Sequence, residues 1–257
     1  MDAPASQRVA LVTGGAARLG RALAVALAED GWDVIVSYLS SSSGAEEVHR
    51  TISGMGRRCE VVQADLTDPT ACAMLPGRAS EAFGHLDLLV NSAASFDSRP
   101  LLDVDAYAWD AVMNLNVRAP HLLVRGAAAS LRRSRGSVVN VADLSAFQPW
   151  LEYPHHAVSK AALLHLTRVQ ARSLAPDVRV NAVVPGSVLP PNEWPQARVQ
   201  ALADAAPLRR IGTPRDVADA VIYLANASFV TGEVITIDGG RLLSAGTRGG
   251  GEGDARD

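Results

Sequence analysis

Two ionisable side chains lie four residues apart in a segment with helical spacing of its apolar residues. They are His156 and Lys160, and this spacing places both on one face of a helix. A free imidazole titrates near pH ~6.5, so it can take up or release a proton near neutral pH. The pair therefore indicates proton transfer. No set of histidines or cysteines has the spacing of a metal site.

A glycine-rich turn follows the first apolar run of the chain. It reads Thr-Gly-Gly-Ala-Ala-Arg-Leu-Gly from Thr13 to Gly20, and helical periodicity follows it. Glycines let the backbone approach a pyrophosphate, and the start of a helix supplies amide donors. A turn of small residues that only packs the helix on the sheet is the alternative. The position between strand and helix favours phosphate binding.

The end of the second apolar run bears on which dinucleotide would fit. An acidic residue there bonds a ribose 2′-hydroxyl and repels a 2′-phosphate. This chain has Tyr38, Ser40 and Ser41 instead, with Arg18 as the nearest cation in the preceding turn. The pattern favours NADP over NAD, and a solvated serine loop is the alternative.

The elements that must position these residues alternate along the chain. Helical segments are predicted from Leu19 to Asp30, from Asp68 to Gly84, and after the capping pattern that starts at Thr213. Strands that are apolar on both faces indicate a parallel sheet covered by helices on both sides. The predicted fold is α/β, a single doubly wound Rossmann-type domain with a mainly parallel seven-stranded sheet. Its predicted strands are Val9–Thr13, Asp33–Tyr38, Cys59–Gln63, Asp87–Asn91, Ser137–Val141, Val178–Val184 and Val234–Ile237.

Composition limits the function classes. Of the 257 residues 48% are hydrophobic and 20% charged, and the net charge is −3, which gives no reason to expect nucleic acid or a membrane as partner. Two cysteines and no signal-like start predict a cytoplasmic protein. We expect the domain to span residues 1–244. The Gly-rich residues 245–257 are predicted to be a disordered tail.

Several short motifs appear in the order typical of one family. The motifs are Thr13–Gly20, Asp65-Leu66, Asn91-Ser92-Ala93-Ala94, Asn114–Val117, Arg179–Gly186, Thr231-Gly232 and Asp238-Gly239-Gly240. With them the chain resembles the short-chain dehydrogenase/reductase family over residues 8–243. The resemblance implies a nicotinamide cofactor, and it places Asn116 and Lys160 in the catalytic site. The cofactor contacts implied are Gly14, Arg18, Leu19, Gly20, Tyr38, Ser40, Ser41, Asp65, Leu66, Asn91, Ser92, Ala93, Lys160, Pro185, Gly186 and Ser187.

Within the family, the sequence is most similar to the pteridine reductases and dihydromonapterin reductases. That branch has arginine at the Arg18 position and aspartate at the Asp143 position, and Phe96 would stack on a flat heterocycle. Core packing for Phe96 and a bond from Arg18 to a local carbonyl are the alternatives. The substrate contacts implied are Arg18, Ser95, Phe96, Asp143, His156, Leu189 and Trp194.

One catalytic position departs from the family pattern. The family has a tyrosine four residues before the lysine, and this chain has His156 there. Tyr153 lies seven residues before Lys160 and is followed by Pro154, so it does not replace that tyrosine in the same helical geometry. Most members also have a serine where this chain has Asp143.

The departure guides the predicted reaction. Loss of a matched general acid costs about 10²–10⁴-fold in rate, and it matters most for a ketone, whose alkoxide product needs a proton. We therefore expect NADP(H)-dependent hydride transfer to a C=N bond or conjugated heterocycle, with Asp143, His156, Lys160 and Asn116 as catalytic residues. Ketone reduction and an NADP(H)-binding protein without turnover are the alternatives. An introduced substitution at position 156 is also open.

The resemblance also implies an assembly. Family members form homodimers or homotetramers through two long helices, which here are about 111–130 and 155–174. The predicted partners are therefore a small-molecule substrate and further copies of this chain.

Overall fold

The structure is a computed structural model that describes residues 7–244. In this range one sheet has seven strands in the order β3-β2-β1-β4-β5-β6-β7, and all six pairings are parallel. The predicted α/β fold is confirmed. The tail predicted for residues 245–257 lies outside the described residues. The strands are β1 Val9–Val12, β2 Asp33–Tyr38, β3 Cys59–Gln63, β4 Leu88–Asn91, β5 Ser137–Val141, β6 Arg179–Pro185 and β7 Val234–Ile237.

Helices cover both faces of this sheet. A π-helical turn at Asn114–Arg118 separates α4 from α5, so the long helix expected over 111–130 is interrupted. Two single 3-10 turns lie at Leu101–Asp103 and Leu144–Ala146. The helices are α1 Arg18–Glu29, α2 Ser42–Gly54, α3 Pro69–Phe83, α4 Ala106–Met113, α5 Ala119–Ser134, α6 Pro154–Leu174, α7 Gln196–Asp204, α8 Pro214–Asn226 and α9 Arg241–Ser244.

The first strand shows why helices are needed on both faces. Ala10 and Val12 join one buried cluster with residues of α1, α2 and α8. Val9 and Leu11 join a second cluster with residues of α3 and α5. Successive side chains of a strand point to opposite faces, so an apolar strand must be covered twice.

Strand order reverses beside β1, which pairs with β2 on one side and β4 on the other. In open parallel sheets, ligands bind outside the carboxyl ends of the strands at such a reversal. The first strand ends one residue before the predicted Thr13, because Gly14 turns the chain with a φ of 64°. The turn and the reversal coincide.

Three further findings describe the rest of the molecule. None of the helices within residues 7–244 is long and apolar enough to cross a membrane. Cys59 and Cys72 are both buried and unpaired, and burial raises their thiol pKa values to about 12 and about 11. Over the same range we find no group of three acidic, histidine or cysteine side chains placed to hold a metal ion.

Candidate active site

A large cavity opens at the carboxyl ends of the central strands. Its volume of about 1170 Å³ exceeds the roughly 300–1,000 Å³ of ordinary small-molecule sites. One end is formed by the Gly14–Gly20 turn and the other by Lys160 with the loop after β6. The space therefore accommodates a dinucleotide together with a second small molecule. The predicted site residues in its wall are Gly14, Arg18, Leu19, Gly20, Tyr38, Asp65, Leu66, Ser92, Ala93, Phe96, Asp143, Lys160, Pro185, Gly186, Ser187, Leu189 and Trp194.

The glycine turn is shaped for close approach of backbone groups. A Cβ at Gly20 would lie 2.3 Å from the carbonyl oxygen of Gly14, so only glycine lets α1 begin this close to the turn. A Cβ at Gly14 would meet the backbone of Ala93 at 3.0 Å. The start of α1 thus faces the cavity, as phosphate binding requires.

A threonine joins this turn to the neighbouring strand. The Thr13 hydroxyl accepts hydrogen bonds from the backbone N–H groups of Ser92 at 3.0 Å and Ala93 at 3.1 Å. The side chain of Asn91 donates to Asn140 Oδ1 at 2.8 Å and is buried. Asn91 therefore supports the wall from behind, and Ser92 and Ala93 form it.

Arg18 connects the two ends of the cavity. It has a φ of 47°, and its guanidinium donates to the carbonyl oxygen of Leu189 at 2.8 Å. The partner is a carbonyl, as the alternative interpretation held, but it lies 171 residues along the chain. The glycine turn is thereby linked to the loop that follows β6.

Lys160 lies at the reaction end of the cavity and is almost completely buried. Its ammonium donates to the carbonyl oxygen of Val141 at 2.9 Å, which holds it beside the end of β5. Burial lowers the pKa of Lys160, and the nearby Asp143 carboxylate acts in the opposite direction. The hydrogen bond to Val141 therefore fixes the position of this cation in the cavity wall.

Asp143 presents a carboxyl group in the cavity wall, with its side chain 15% exposed. Its Oδ1 accepts hydrogen bonds from the backbone N–H and the hydroxyl of Ser145. Burial raises the pKa of this carboxyl, but the hydrogen bond with His156 and the Lys160 charge outweigh burial and hold the pKa below its ordinary value. At neutral pH the cavity therefore faces a carboxylate.

His156 lies behind this carboxylate and outside the cavity wall. The side chain has no exposed surface. Its Nε2 lies 2.7 Å from Asp143 Oδ2, and its Nδ1 donates to the carbonyl oxygen of Ser95, 2.8 Å away. The Phe96 ring stacks on the imidazole, with centroids 4.0 Å apart. The sequence predicted direct contact of His156 with substrate, but in this structure Asp143 and Phe96 cover the ring.

Asn116 also supports the site from outside the cavity wall. It lies in the π-helical turn, where its Oδ1 accepts from the Ser95 N–H at 3.1 Å and its Nδ2 donates to Ser159 Oγ at 2.9 Å. These bonds hold the Ser95 backbone in place against His156. Of the predicted site residues, those outside the wall, all within the described range, are Ser40, Ser41, Asn91, Ser95, Asn116 and His156.

The substrate end of the cavity is rich in aromatic side chains. Tyr153 packs edge-on against Phe96 and Trp150, with centroid distances of 5.6 and 6.4 Å. Arg198 lies over the Trp194 ring at 3.7 Å. Tyr153, Arg198 and Arg241 line the cavity although the sequence did not single them out as contacts. For Arg198 the signal was its spacing, four residues after Trp194.

Comparisons with known proteins agree with this geometry. A family model described as enoyl-(acyl carrier protein) reductase matches residues 14–241. An uncharacterized oxidoreductase of Mycobacterium tuberculosis is 36% identical over 244 residues, which cover 91% of each chain.

Two solved structures have nearly the same backbone. A blue fluorescent protein from a metagenomic library, in complex with NADPH, has a TM-score of 0.85 and 33% identity, covering 91% of this chain and 97% of its own. An acetoin dehydrogenase from Enterobacter cloacae has a TM-score of 0.86 and 30% identity, covering 95% and 98%. With the glycine turn, the buried lysine and the sheet order in place, these matches show that the chain is an oxidoreductase of the short-chain dehydrogenase/reductase family.

Proposed function

We propose that the protein is an NADP(H)-dependent reductase of C=N bonds in flat cyclic imines or pterin-like heterocycles. The observation that carries this proposal is the Asp143 carboxylate in the cavity wall, beside Lys160. Four residues before Lys160, where the family pattern has a phenol, the His156 side chain is turned away from the cavity. The reaction end therefore presents an anion to the substrate.

The nicotinamide cofactor, when bound, supplies the hydride. The Gly14–Gly20 turn would hold its phosphates, and Asp65 with Leu66 would border the adenine end. Lys160 would bond the ribose next to the nicotinamide. Each of these groups lies in the wall of one continuous cavity, which fits a dinucleotide in an extended form.

The sign of the charge at Asp143 selects the substrate. A protonated C=N nitrogen donates a hydrogen bond to a carboxylate and gains about 4 kcal/mol of Coulomb energy at ~4 Å for an effective dielectric constant of ~20. The alkoxide that forms from a ketone would be repelled by a similar amount. The carboxylate thus favours a reaction centre that is cationic before hydride transfer.

The shape of the substrate end supports a flat ligand. Phe96, Trp150 and Tyr153 form an aromatic wall, and Leu189 with Trp194 lies in the loop after β6. Flat heterocycles stack on such walls. Together with Asp143 and Arg18, this wall supports a relationship to the pteridine reductases.

The preference for NADP rests on the adenine end. Tyr38 lines the cavity at the end of β2, where an acidic residue would repel a 2′-phosphate. A structural relative binds NADPH. Arg18 is the cation of the turn nearest to this end, although its guanidinium bonds Leu189.

A second candidate function is ketone or alcohol conversion. Tyr153 contributes a phenol to the same cavity, and a structural relative is an acetoin dehydrogenase. A phenol can donate the proton that an alkoxide product needs. Tyr153 is the N-cap of α6 with a non-helical backbone and lies nearly two turns before Lys160, so it does not take the position one turn before the lysine.

Steady-state rates with NADPH on matched cyclic imines, dihydropterins and ketones test the proposal. We expect kcat/KM for the imine or dihydropterin to exceed that for the matched ketone by at least about tenfold, since 1.4 kcal/mol already gives this ratio. A higher kcat/KM for the ketone would contradict it. Tight NADPH binding without turnover on any substrate would instead favour a binding protein.

We also propose that copies of this chain associate as a dimer or tetramer through α4 to α6. Tyr107, Val158 and Val169 are exposed apolar residues on these helices. Such residues favour contact with a second copy. Light scattering at micromolar concentration would show a mass of two or four chains, and a monomer would contradict the proposal.

A further inference from the structure

Both nitrogens of the buried His156 ring face oxygen atoms. The carbonyl oxygen of Ser95 only accepts hydrogen bonds, and at 2.8 Å it lies nearer to Nδ1 than the Asn116 amide nitrogen does, at 3.3 Å, so we assign a proton to Nδ1. The other nitrogen, Nε2, lies 2.7 Å from Asp143 Oδ2. If Nε2 and Oδ2 both lacked a proton, two lone pairs would meet at this distance inside the protein. One further proton therefore belongs to the His156–Asp143 pair.

The position of that proton follows from the carboxyl group. The Ser145 N–H and hydroxyl stabilise Asp143 as a carboxylate, and so does the nearby Lys160. The proton is therefore on His156, as an imidazolium. The stacked Phe96 ring presents its negative face to this cation. The pair as a whole is neutral, and one member of it reaches the cavity.

The adjacent His155 shows that burial on α6 does not impose this state. Its side chain also has no exposed surface, and its Nε2 lies 3.3 Å from Asp97 Oδ2. Among the described residues, its Nδ1 has no hydrogen-bond partner. A neutral imidazole satisfies these contacts, since Asp97 also pairs with Arg99 at 2.8 Å. Of these two neighbours on α6, His156 has an oxygen acceptor at each ring nitrogen and His155 has one at Nε2.

We propose that His156 is the proton store of the reaction, that is, the residue that holds the proton before the substrate receives it. Asp143 transfers this proton from His156 to the nitrogen of a neutral imine. The inference rests on the proposed C=N reduction. His156 then acts through Asp143 and is a positioning and proton-supplying residue, with no substrate contact of its own. The charged and titratable groups around it are Asp143 and Lys160, Tyr153 beyond Phe96, and the neighbouring His155 with Asp97 and Arg99.

The step balances in atoms and charge. The Nε2–H bond breaks as the carboxyl takes the proton, and the carboxyl O–H bond breaks as the imine N–H bond forms. A neutral pair and a neutral imine become a neutral imidazole, a carboxylate and an iminium cation. The iminium carbon would then take the hydride that a bound nicotinamide cofactor supplies, which gives the amine. Water in the cavity then returns one proton to the pair.

Two substrates that differ in one proton test this inference. Dihydroisoquinoline is a cyclic imine that needs a proton, whereas its N-methyl iminium salt is permanently charged. Both are compared at a pH above the pKa of the conjugate acid of the imine. In His156→Gln we expect kcat/KM for the imine to fall about 10²–10⁴-fold, the usual value of a general acid. The iminium rate should stay within a few-fold of wild type.

The control and the contrary outcomes are specific. His155→Gln, with the same substitution one residue away, should leave the ratio of the two rates unchanged. Equal losses on both substrates in His156→Gln would overturn the proton store and leave C=N reduction standing. A wild-type protein that reduces neither substrate would contradict the proposed function itself.

A measurement on the wild-type protein without cofactor tests the proton store independently of turnover. Nitrogen-15 NMR of the histidine rings at neutral pH should show protons on both nitrogens of His156. His155 should show one. A bare nitrogen on His156 in this spectrum would overturn the inference whether or not the variants fold.

Discussion

The two ends of the cavity are formed by different kinds of chemical group. The nucleotide end consists of backbone and small side chains, in which Gly14 and Gly20 let the chain approach itself closely. The reaction end consists of buried ionisable side chains. Asp143 lies between His156, with which it shares a hydrogen bond, and Lys160, whose charge acts on it. A steric change should therefore damage the first end and a charge change the second. The variants that follow test this difference.

The largest effect is expected for Asp143→Asn at the reaction end. An amide keeps the size of the carboxyl but removes the negative charge that stabilises the iminium. We expect kcat/KM for an imine to fall about 10²–10⁴-fold, while the affinity for NADPH changes little. Stopped-flow rates and fluorescence titration with NADPH measure the two quantities. A large loss of NADPH affinity would show that the two ends are not separate.

A smaller effect, on NADPH affinity instead of turnover, is expected for Gly20→Ala at the nucleotide end. Its Cβ would lie 2.3 Å from the Gly14 carbonyl oxygen, so the turn must shift. We expect NADPH affinity to fall tenfold or more, which is about 1.4 kcal/mol. The histidine NMR pattern should be retained. Ala17→Gly in the same turn is the matched control, and unchanged affinity in Gly20→Ala would contradict the steric argument.

Thr213→Ala should affect stability and neither end of the cavity. The Thr213 side chain and Asp216 form a capping box at the start of α8. Loss of such a cap costs about 1 kcal/mol, which chemical denaturation would measure. NADPH affinity and imine turnover serve as controls and should match wild type. A change in turnover would mean that α8 influences the site.

The smallest expected effect is on the stability of Asp143→Asn at acid pH. The pKa of Asp143 is held below its ordinary value in the folded protein, so its contribution to stability is present above the unfolded pKa. It is lost as the pH falls through the folded pKa. Thermal unfolding from neutral to acid pH should therefore show a shallower loss of Tm in Asp143→Asn than in wild type. Parallel curves would contradict the lowered pKa.

Much of the scaffold was predictable from local sequence. Strands such as Asp33–Tyr38 and Cys59–Gln63 have the predicted bounds, because a short valine-containing run between turn signals is a local feature. The long helix expected over 111–130 was predicted without its π-helical turn at Asn114–Arg118. That irregularity depends on tertiary contacts, because in this turn Asn116 forms hydrogen bonds with Ser95 and Ser159.

The candidate site was predicted less completely. Spacing and family resemblance found Asp143, Lys160 and the glycine turn, which line one cavity. Spacing also placed His156 on the face of Lys160 and predicted contact with the substrate. The ring instead turns to Asp143 and Ser95. Helical spacing determines which residues share a face, but not which of them reaches the ligand.

The amino-acid sequence by itself determined the alternation of strands and helices, the glycine turn and the family. These depend on apolar periodicity and on backbone freedom, which act over a few residues. Only the tertiary structure decided that Asp143 faces the cavity and that His156 lies behind it. That choice depends on Ser95, Phe96 and Asn116, which are distant in sequence, because a buried imidazole must satisfy both nitrogens with whatever the fold brings beside it.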